Sequence, residues 1–322
     1  MKDQESGIPA DIQDAIEQCY QRCEAVVDGL GEHTDTARTP AIAYHYTDSA
    51  GLFGILDSGN IRLTDIAGLN DPTEISHGVA HACEILRTAA ASSHRAARFL
   101  SDGFTDFHTK IAQLAHFFVA CFSHNGNDLG QWRSYGNNGR GFSLGFDGEL
   151  LERLFVAPNG DWITNHSTFS IRYNDTALRA VQTEIVNAFL TLSDVPRGRG
   201  LHPSTVAQFM RILSERLSLC AVRAALLFKH EAYSNEAEYR LLHIRPINDD
   251  LSDIKLRPRD TALIRFMEIA WRSDGCQPLR EILIGPAADE TKATEFAQIC
   301  LRRAGIDTET IHIRKSTIPY RG

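Results

Sequence analysis

The sequence predicts an α+β fold for this chain of 322 residues. Two observations support that class. Short segments typical of β-strands stand before and after a helical block at about 175–228, instead of alternating regularly with helices. In addition, no predicted strand is followed by a phosphate-binding loop or by the glycine fingerprint of a dinucleotide-binding sheet. We therefore expect an N-terminal helix and linker at 1–40 and one α+β domain at 41–322, with the helical block as an insertion.

The individual elements are predicted from periodicity and from residues that begin or end helices. Residues 10–30 have the apolar spacing of a helix. Asp48 or Ser49 caps a short helix that Gly59 ends. Apolar or alternating segments predict strands at 41–47, 60–64, 117–122, 141–146, 167–173, 238–245, 281–284 and 311–313. Helical spacing predicts further helices at 73–91, 175–193, 203–228 and 287–304, whereas residues 262–270 fit a helix or a strand equally well.

The composition is that of an ordinary globular protein. Hydrophobic residues make up 43% of the chain and charged residues 23%. The net charge of -8 argues against a broad nucleic-acid surface, although it leaves room for a local basic groove. The chain has no apolar run long enough for a bilayer and no signal-peptide core at its N-terminus. Its seven scattered cysteines suit a reducing compartment, so we expect a cytoplasmic protein without a membrane partner.

Two carboxylates open the predicted strand at 238–245. Glu236, Glu238 and Arg240 alternate in the sequence, so an extended chain would place all three side chains on one face. Like charges on one face repel each other unless a cation or a ligand offsets them. The triplet therefore indicates either a structural ion pair or a site that handles a charged ligand.

Two segments near the start of the domain also carry polar side chains suited to a site. Tyr44-His45-Tyr46-Thr47 places an imidazole in a buried strand, where it needs a polar partner. That partner is a backbone carbonyl if the residue is structural, and a ligand if it is functional. Asn70-Asp71-Pro72 precedes a predicted helix, and a capping turn explains most of its composition.

Residues 128–141 mix aromatic side chains with glycine, asparagine and arginine just before a strand. This composition makes a poor core and a good pocket wall, although a packed surface loop would look the same. Trp132 and Tyr135 stand one helical turn apart, which predicts that they present one shared aromatic face.

Read together, these segments resemble the family known as domain of unknown function 2971 (DUF2971). Its pattern is Tyr-x-Tyr-Thr, then Asn-Asp-Pro-x-Glu, then Trp-x-x-Tyr-Gly-x-x-x-x-Gly, and late in the chain Lys-x-x-x-aromatic-x-x-Glu-x-Glu-x-Arg. The resemblance covers about residues 41–320. The matching residues are Tyr44, Tyr46, Thr47, Asn70, Asp71, Pro72, Glu74, Trp132, Tyr135, Gly136, Gly141, Lys229, Tyr233, Glu236, Glu238 and Arg240.

A second resemblance, to ADP-ribosyltransferases of the His-Tyr-Glu and DarT-like type, implies an activity. The order of features is similar: a strand with His45, a helix that ends in Gly59, the mid-chain Tyr135, and a late glutamate that opens a strand. The chain departs from many of these enzymes at Tyr46, where they have glycine. The resemblance implies a split β-sheet core, NAD as substrate, no metal, and an acceptor that is a nucleic acid, a protein or a small molecule. It also implies a bacterial toxin or a phage-defence effector.

The same resemblance implies catalytic roles for two residues. Glu238 would stabilise the sugar cation that forms as nicotinamide leaves, and Glu236 would orient the acceptor or contact the ribose. His45 would bind a ribose hydroxyl, Tyr135 with Trp132 would stack on nicotinamide, and Arg140 or the loop of Arg197 and Arg199 would meet the pyrophosphate. The residues expected around NAD are His45, Tyr46, Thr47, Asn70, Asp71, Trp132, Tyr135, Arg140, Lys229 and Arg240.

Two other functions are compatible with the same residues. A non-catalytic nucleotide-binding or sensor module would use Glu236, Glu238 and Arg240 as a structural ion pair. A metal-dependent nuclease or phosphodiesterase would use Asp71 and Glu74 together with the two later glutamates. Binding of NAD without turnover would favour the module, and activity that disappears on chelation would favour the metal-dependent enzyme.

Overall fold

The computed structural model describes residues 7–29, 39–68, 73–92, 95–104, 115–155, 166–196, 199–246, 251–259, 261–273 and 275–321. The chain forms two compact units, each assembled from separated parts of the sequence. The helical unit comprises residues 1–37, 71–115 and 172–231, and the sheet unit comprises residues 38–70, 116–171 and 232–322. The predicted division at residue 40 used continuous segments. In the structure, by contrast, the N-terminal helix shares a unit with helices from the middle of the chain.

Helices and strands are numbered here in chain order within the described residues. The α-helices are α1 (Ala10–Gly29), α2 (Ser49–Ser58), α3 (Thr73–Ala91), α4 (Arg95–Phe104), α5 (Leu129–Ser134), α6 (Gly148–Phe155), α7 (Asp175–Leu192), α8 (Pro203–Leu226) and α9 (Glu290–Arg303). The strands are β1 (Ile42–Thr47), β2 (Asn60–Asp65), β3 (Ala115–Ser123), β4 (Phe142–Asp147), β5 (His166–Ser170), β6 (Glu238–Pro246), β7 (Lys255–Arg259), β8 (Ala262–Ala270), β9 (Leu279–Ile284) and β10 (His312–Lys315). None of the described helices is long and apolar enough to cross a bilayer.

The helical unit contains α1, α3, α4, α7 and α8, which pack on one another. A buried amide joins three of them, because Gln182 in α7 donates to the carbonyls of Gly78 in α3 (3.1 Å) and Ala221 in α8 (3.0 Å). Glycine at position 78 lets α3 and α8 approach closely, since an added Cβ atom there would lie 2.4 Å from the Cβ of Ala225.

The sheet unit is built on ten strands in the order β10-β9-β4-β1-β3-β2-β8-β7, with β6 pairing with both β3 and β5. Strands β9 and β10 are parallel, whereas the pairs β1–β4, β2–β8, β4–β9, β5–β6 and β7–β8 are antiparallel. The predicted α+β class is confirmed as a mixture of helices with a mostly antiparallel sheet. Strand β3 pairs with β1, β2 and β6. A strand has only two edges, so two of these partners share one edge and the sheet branches there.

The main core of the sheet unit lies on one face of the strands around β3. It includes Leu52 and Leu56 from α2, Phe118 and Phe122 from β3, and Tyr239 from β6, all of them buried. The predicted caps of α2 are confirmed. Asp48 Oδ1 accepts a hydrogen bond from the backbone N–H of Gly51 (2.7 Å), and Gly59 ends the helix with a left-handed φ of 68°.

Most predicted strands and helices are found, but some elements differ from expectation. Residues 262–270 form strand β8 because β2 and β7 pair with its two edges. Helices α4 and α6 and strand β7 were not predicted. The polar segment after β3 was predicted as a loop, but it contains the short helix α5, whose first turn is capped by Asp128 Oδ1 accepting from the backbone N–H of Gln131 (2.9 Å).

Candidate functional site

The sheet splits where β1 and β3 separate. The two strands, both described in full, pair at Tyr44 and Ser123, and β1 then continues beside β4 through Thr47. The carbonyl oxygen of Cys121 in β3 lies 3.0 Å from the Nδ1 atom of His45 in β1. The half-buried imidazole of His45 therefore occupies the gap between the diverging strands.

The environment of His45 determines which nitrogen carries its proton. A carbonyl oxygen only accepts hydrogen bonds, so Nδ1 must hold the proton that it shares with Cys121. Burial of the ring lowers the pKa of His45 below its ordinary value and outweighs the opposite effect of this hydrogen bond. The neutral ring thus presents Nε2 as an acceptor.

We expect acid to destabilise the sheet unit, because burial lowers the pKa of several folded histidines, namely His45, His116, His124 and His166. The unfolded chain binds protons that the folded chain excludes. The free energy of unfolding should therefore be level above about pH 6.5 and fall below it, by up to about 1.4 kcal/mol per pH unit for each histidine. Chemical denaturation across this range measures the slope. His45→Asn should make the slope shallower than in the unaltered protein. Equal slopes in the two proteins would contradict the expectation.

Next to the split, Glu236 and Tyr135 meet at the surface. The backbone carbonyl of Glu236 accepts a hydrogen bond from Ser123 Oγ (2.7 Å), which ties it to the strand end that pairs with Tyr44. Its partly exposed carboxylate faces the hydroxyl of Tyr135, with 3.4 Å between Oη and Oε1. The ring of Tyr135 is 38% exposed. A carboxylate and an aromatic ring are therefore both open to solvent beside the split.

Glu238 lies in a different setting from Glu236. It is 5% exposed, and its carboxylate is held by Arg240, which is 1% exposed. Nε of Arg240 lies 2.5 Å from Oε1 of Glu238, and Nη2 lies 3.1 Å from Oε2. This two-point contact offsets the charge of the carboxylate inside the protein. The charged triplet thus divides into a buried ion pair and a separate, accessible glutamate.

Strand alternation also separates Glu238 from His45. The His45 ring contacts Phe122, with 5.4 Å between centroids, on the face of the main core. Tyr239 belongs to the same core, so Glu238, its neighbour in β6, points to the opposite face. The structure therefore does not bring the carboxylate of Glu238 to the side of the sheet on which His45 contacts Phe122.

Two motifs of the site region lie within a segment that matches a known family. Residues 131–241 match the family model described as protein of unknown function, DUF2971. The predicted resemblance to this family is confirmed over that segment, which includes Trp132, Tyr135, Glu236, Glu238 and Arg240. No curated protein and no solved structure matches the chain.

We call residues 131–241 the DUF2971 segment. Several motif residues in this segment have structural roles. Trp132 is fully buried, so the predicted aromatic face shared with Tyr135 is wrong, because only Tyr135 reaches solvent. The indole Nε1 donates to Asn127 Oδ1 (3.0 Å), and the ring packs edge-on against Tyr46 at 4.9 Å. Tyr46 is itself buried, and its hydroxyl donates to the carbonyl of Asn125 (2.8 Å). Trp132 and Tyr46 therefore hold the loop after β3 in place.

The two motif glycines of the DUF2971 segment allow close packing. A Cβ atom at Gly136 would lie 2.6 Å from the indole of Trp132, and one at Gly141 would lie 2.2 Å from the carbonyl oxygen of Thr47. Both positions therefore exclude larger residues. Arg140 lies between them in an exposed turn, and its backbone N–H donates to the carbonyl of Asn137 (3.1 Å).

The other predicted site residues lie elsewhere or outside the described residues. Lys229 belongs to the helical unit, where its backbone N–H donates to the carbonyl of Arg172 (2.9 Å). Arg199 belongs to the same unit and forms an ion pair with Asp11. Asn70, Asp71 and Arg197, together with the side chain of Glu74, fall outside the described residues. In the part of the chain that is described, no three His, Cys, Asp or Glu side chains are arranged to hold a metal ion.

The sequence analysis missed Ser123, which fixes the position of Glu236. Besides its bond to the carbonyl of Glu236, Ser123 Oγ accepts from the backbone N–H of Asn125 (3.0 Å). The available signal was a polar residue at the end of an apolar strand, where side chains often bond to nearby backbone groups.

Proposed function

We propose that this protein is a mono-ADP-ribosyltransferase that cleaves the nicotinamide–ribose bond of NAD. One observation carries the proposal. In the DUF2971 segment, Trp132, Gly136, Gly141, Glu238 and Arg240 are explained by packing or by a buried ion pair. The side chains of Tyr135 and Glu236 remain open to solvent, and they lie beside each other near the end of β3.

The position of Glu236 is fixed by the end of β3. Ser123 Oγ donates to the carbonyl of Glu236, and Ser123 pairs with Tyr44 in β1. The branching of the sheet at β3 agrees with the split core of an ADP-ribosyltransferase-like fold.

The residues have distinct parts in the proposed reaction. The bond from ribose C1′ to nicotinamide breaks, its electron pair leaves with the base, and positive charge develops on the sugar. The carboxylate of Glu236 stabilises that charge, and the Tyr135 hydroxyl orients the carboxylate. The acceptor then bonds to C1′ and releases a proton. Glu238 has a structural role instead, because its ion pair with Arg240 stabilises the start of β6.

This proposal differs from the sequence-based one in its choice of acid. Buried and paired with Arg240, Glu238 has little free charge to offer a sugar cation. Glu236 keeps its carboxylate at the surface. The same ion pair supports the second candidate, a nucleotide-binding module without catalysis, because such a module needs the fold and the split but no accessible acid.

A paired measurement on the full chain tests the proposal. NAD should raise the melting temperature, and incubation with NAD should release nicotinamide, which chromatography detects. A rise in melting temperature without nicotinamide release would replace the enzyme with the binding module. If NAD changes neither quantity, both candidates fail. Nicotinamide release that requires an added divalent metal and stops on chelation would instead support metal-dependent chemistry.

A further inference from the structure

One end of the sheet carries a row of cations on a single face, and it lies apart from the split. The pairing register puts Arg62 opposite Glu268, Lys255 opposite Phe266, and Arg257 opposite Ile264. Because side chains alternate along a strand, Arg259 shares the face of Lys255 and Arg257. We call Arg62, Lys255, Arg257 and Arg259 the basic face; it spans β2, β8 and the terminal strand β7.

In the described residues of β2, β7 and β8, the basic face holds four cations and one carboxylate. That carboxylate belongs to Glu268, which contacts both Arg62 (3.1 Å) and Lys255 (2.6 Å). Arg257 is partly buried, and its Nε atom is buried without a hydrogen-bond partner among the described residues. Burial, together with the nearby charges of Arg259 and Arg62, lowers the pKa of Arg257. An arrangement that crowds guanidinium groups in this way is costly unless an anion offsets it.

We propose that the basic face binds the phosphodiester backbone of a single-stranded nucleic acid. Guanidinium groups pair with phosphate oxygens through two parallel hydrogen bonds. Side chains two residues apart on a strand stand about 6.8 Å apart, so Lys255, Arg257 and Arg259 form a line of regular charges rather than one cluster. Such a line fits successive phosphates along an extended strand better than it fits one isolated phosphate.

The surroundings of the basic face favour this ligand over a membrane. The exposed apolar residues Leu256 and Leu263 alternate with the cations and point to the opposite face of the strands. The basic face thus lacks the apolar side chains that would insert into a lipid surface. Its one aromatic ring, Phe266, is 5% exposed and lies under Arg62 at 4.8 Å. Bases therefore have no ring to stack on, and binding should be independent of sequence.

The net charge of the whole chain should restrict nucleic-acid binding to the basic face. With a formal charge of -8, most of the surface should repel a polyanion, so binding should depend on this face alone. The proposal does not rest on the proposed enzymatic activity, since it concerns a separate surface and is tested by binding without NAD.

Fluorescence anisotropy of a short labelled oligothymidine, measured on the full chain at several salt concentrations, tests the proposal. The double variant Arg257→Gln and Arg259→Gln should weaken binding. It should also make the slope of log K against log salt shallower by about 0.7 for each phosphate that the variant no longer neutralises. Arg257→Lys keeps the charge and should keep the slope. Circular dichroism confirms that each variant is folded. The matched control Lys292→Gln and Arg302→Gln removes two exposed charges from α9 and should leave binding unchanged.

Several results would overturn this proposal. They are no binding by the unaltered chain, an equal loss of affinity in the control variant, and binding to anionic vesicles but not to the oligonucleotide. Competition by inorganic phosphate or by a mononucleotide as effective as competition by the oligonucleotide would show a site for one free phosphate, and would also reject the proposal.

Discussion

Replacement of Glu236 by glutamine is expected to lower the rate of nicotinamide release from NAD by about a hundredfold to a thousandfold, while the fold remains intact. Glutamine keeps the size of the side chain and its hydrogen bond to Tyr135, but it removes the negative charge that steadies the sugar cation. Loss of one preorganised electrostatic interaction typically costs about 2.7–4 kcal/mol in transition-state stabilisation. The affinity for NAD should change much less than the turnover number, because the charge acts mainly in the transition state.

Glu231→Gln is the matched control for this experiment. Glu231 begins the 3-10 turn that Glu236 ends and is exposed, so the substitution removes an equal charge from the same turn. Its activity should equal that of the unaltered protein. If Glu236→Gln retains full activity while a folded Glu238→Gln protein is inactive, the acid is Glu238 and our assignment is reversed.

The second large effect is expected on stability, at the ion pair of Glu238 and Arg240. Either Glu238→Gln or Arg240→Met should lower the free energy of unfolding by about 3–5 kcal/mol, because each leaves a buried charge without its main partner. The double variant should lose clearly less than the sum of the two single losses, since it buries no unpaired charge. Chemical denaturation followed by circular dichroism measures all four proteins of the cycle.

Additive losses, within about 0.5 kcal/mol, would show that the two side chains are not coupled as their contact implies. The stability measurement is also a necessary control for the activity experiment. A Glu238→Gln protein that is inactive because it is unfolded says nothing about catalysis, so its activity is informative only after its stability has been measured. Glu236→Gln should not have this problem, because its carboxylate is partly exposed.

Local sequence signals were sufficient where the structure depends on neighbours in the chain. Asp48 and Gly59 predicted the two ends of α2, because an N-cap acceptor and a left-handed C-terminal glycine act within one turn. Residues 238–245 were predicted as a strand from their apolar content, and they form most of β6. Residues 262–270 were ambiguous because their strand form depends on pairing with β2 and β7, which lie elsewhere in the sequence.

The sequence by itself determined the mixed helix and strand class, the motif residues and the resemblance to DUF2971. It did not determine which of those residues are buried in the fold and which face solvent. Trp132 and Tyr135 are one helical turn apart, yet one is fully buried and the other is 38% exposed. Glu236 and Glu238 are two residues apart, yet only Glu238 belongs to β6 and bonds to Arg240 inside the protein. Burial and charge pairing depend on which distant segments cover a side chain. The tertiary structure therefore decided which glutamate supports the fold and which one faces solvent.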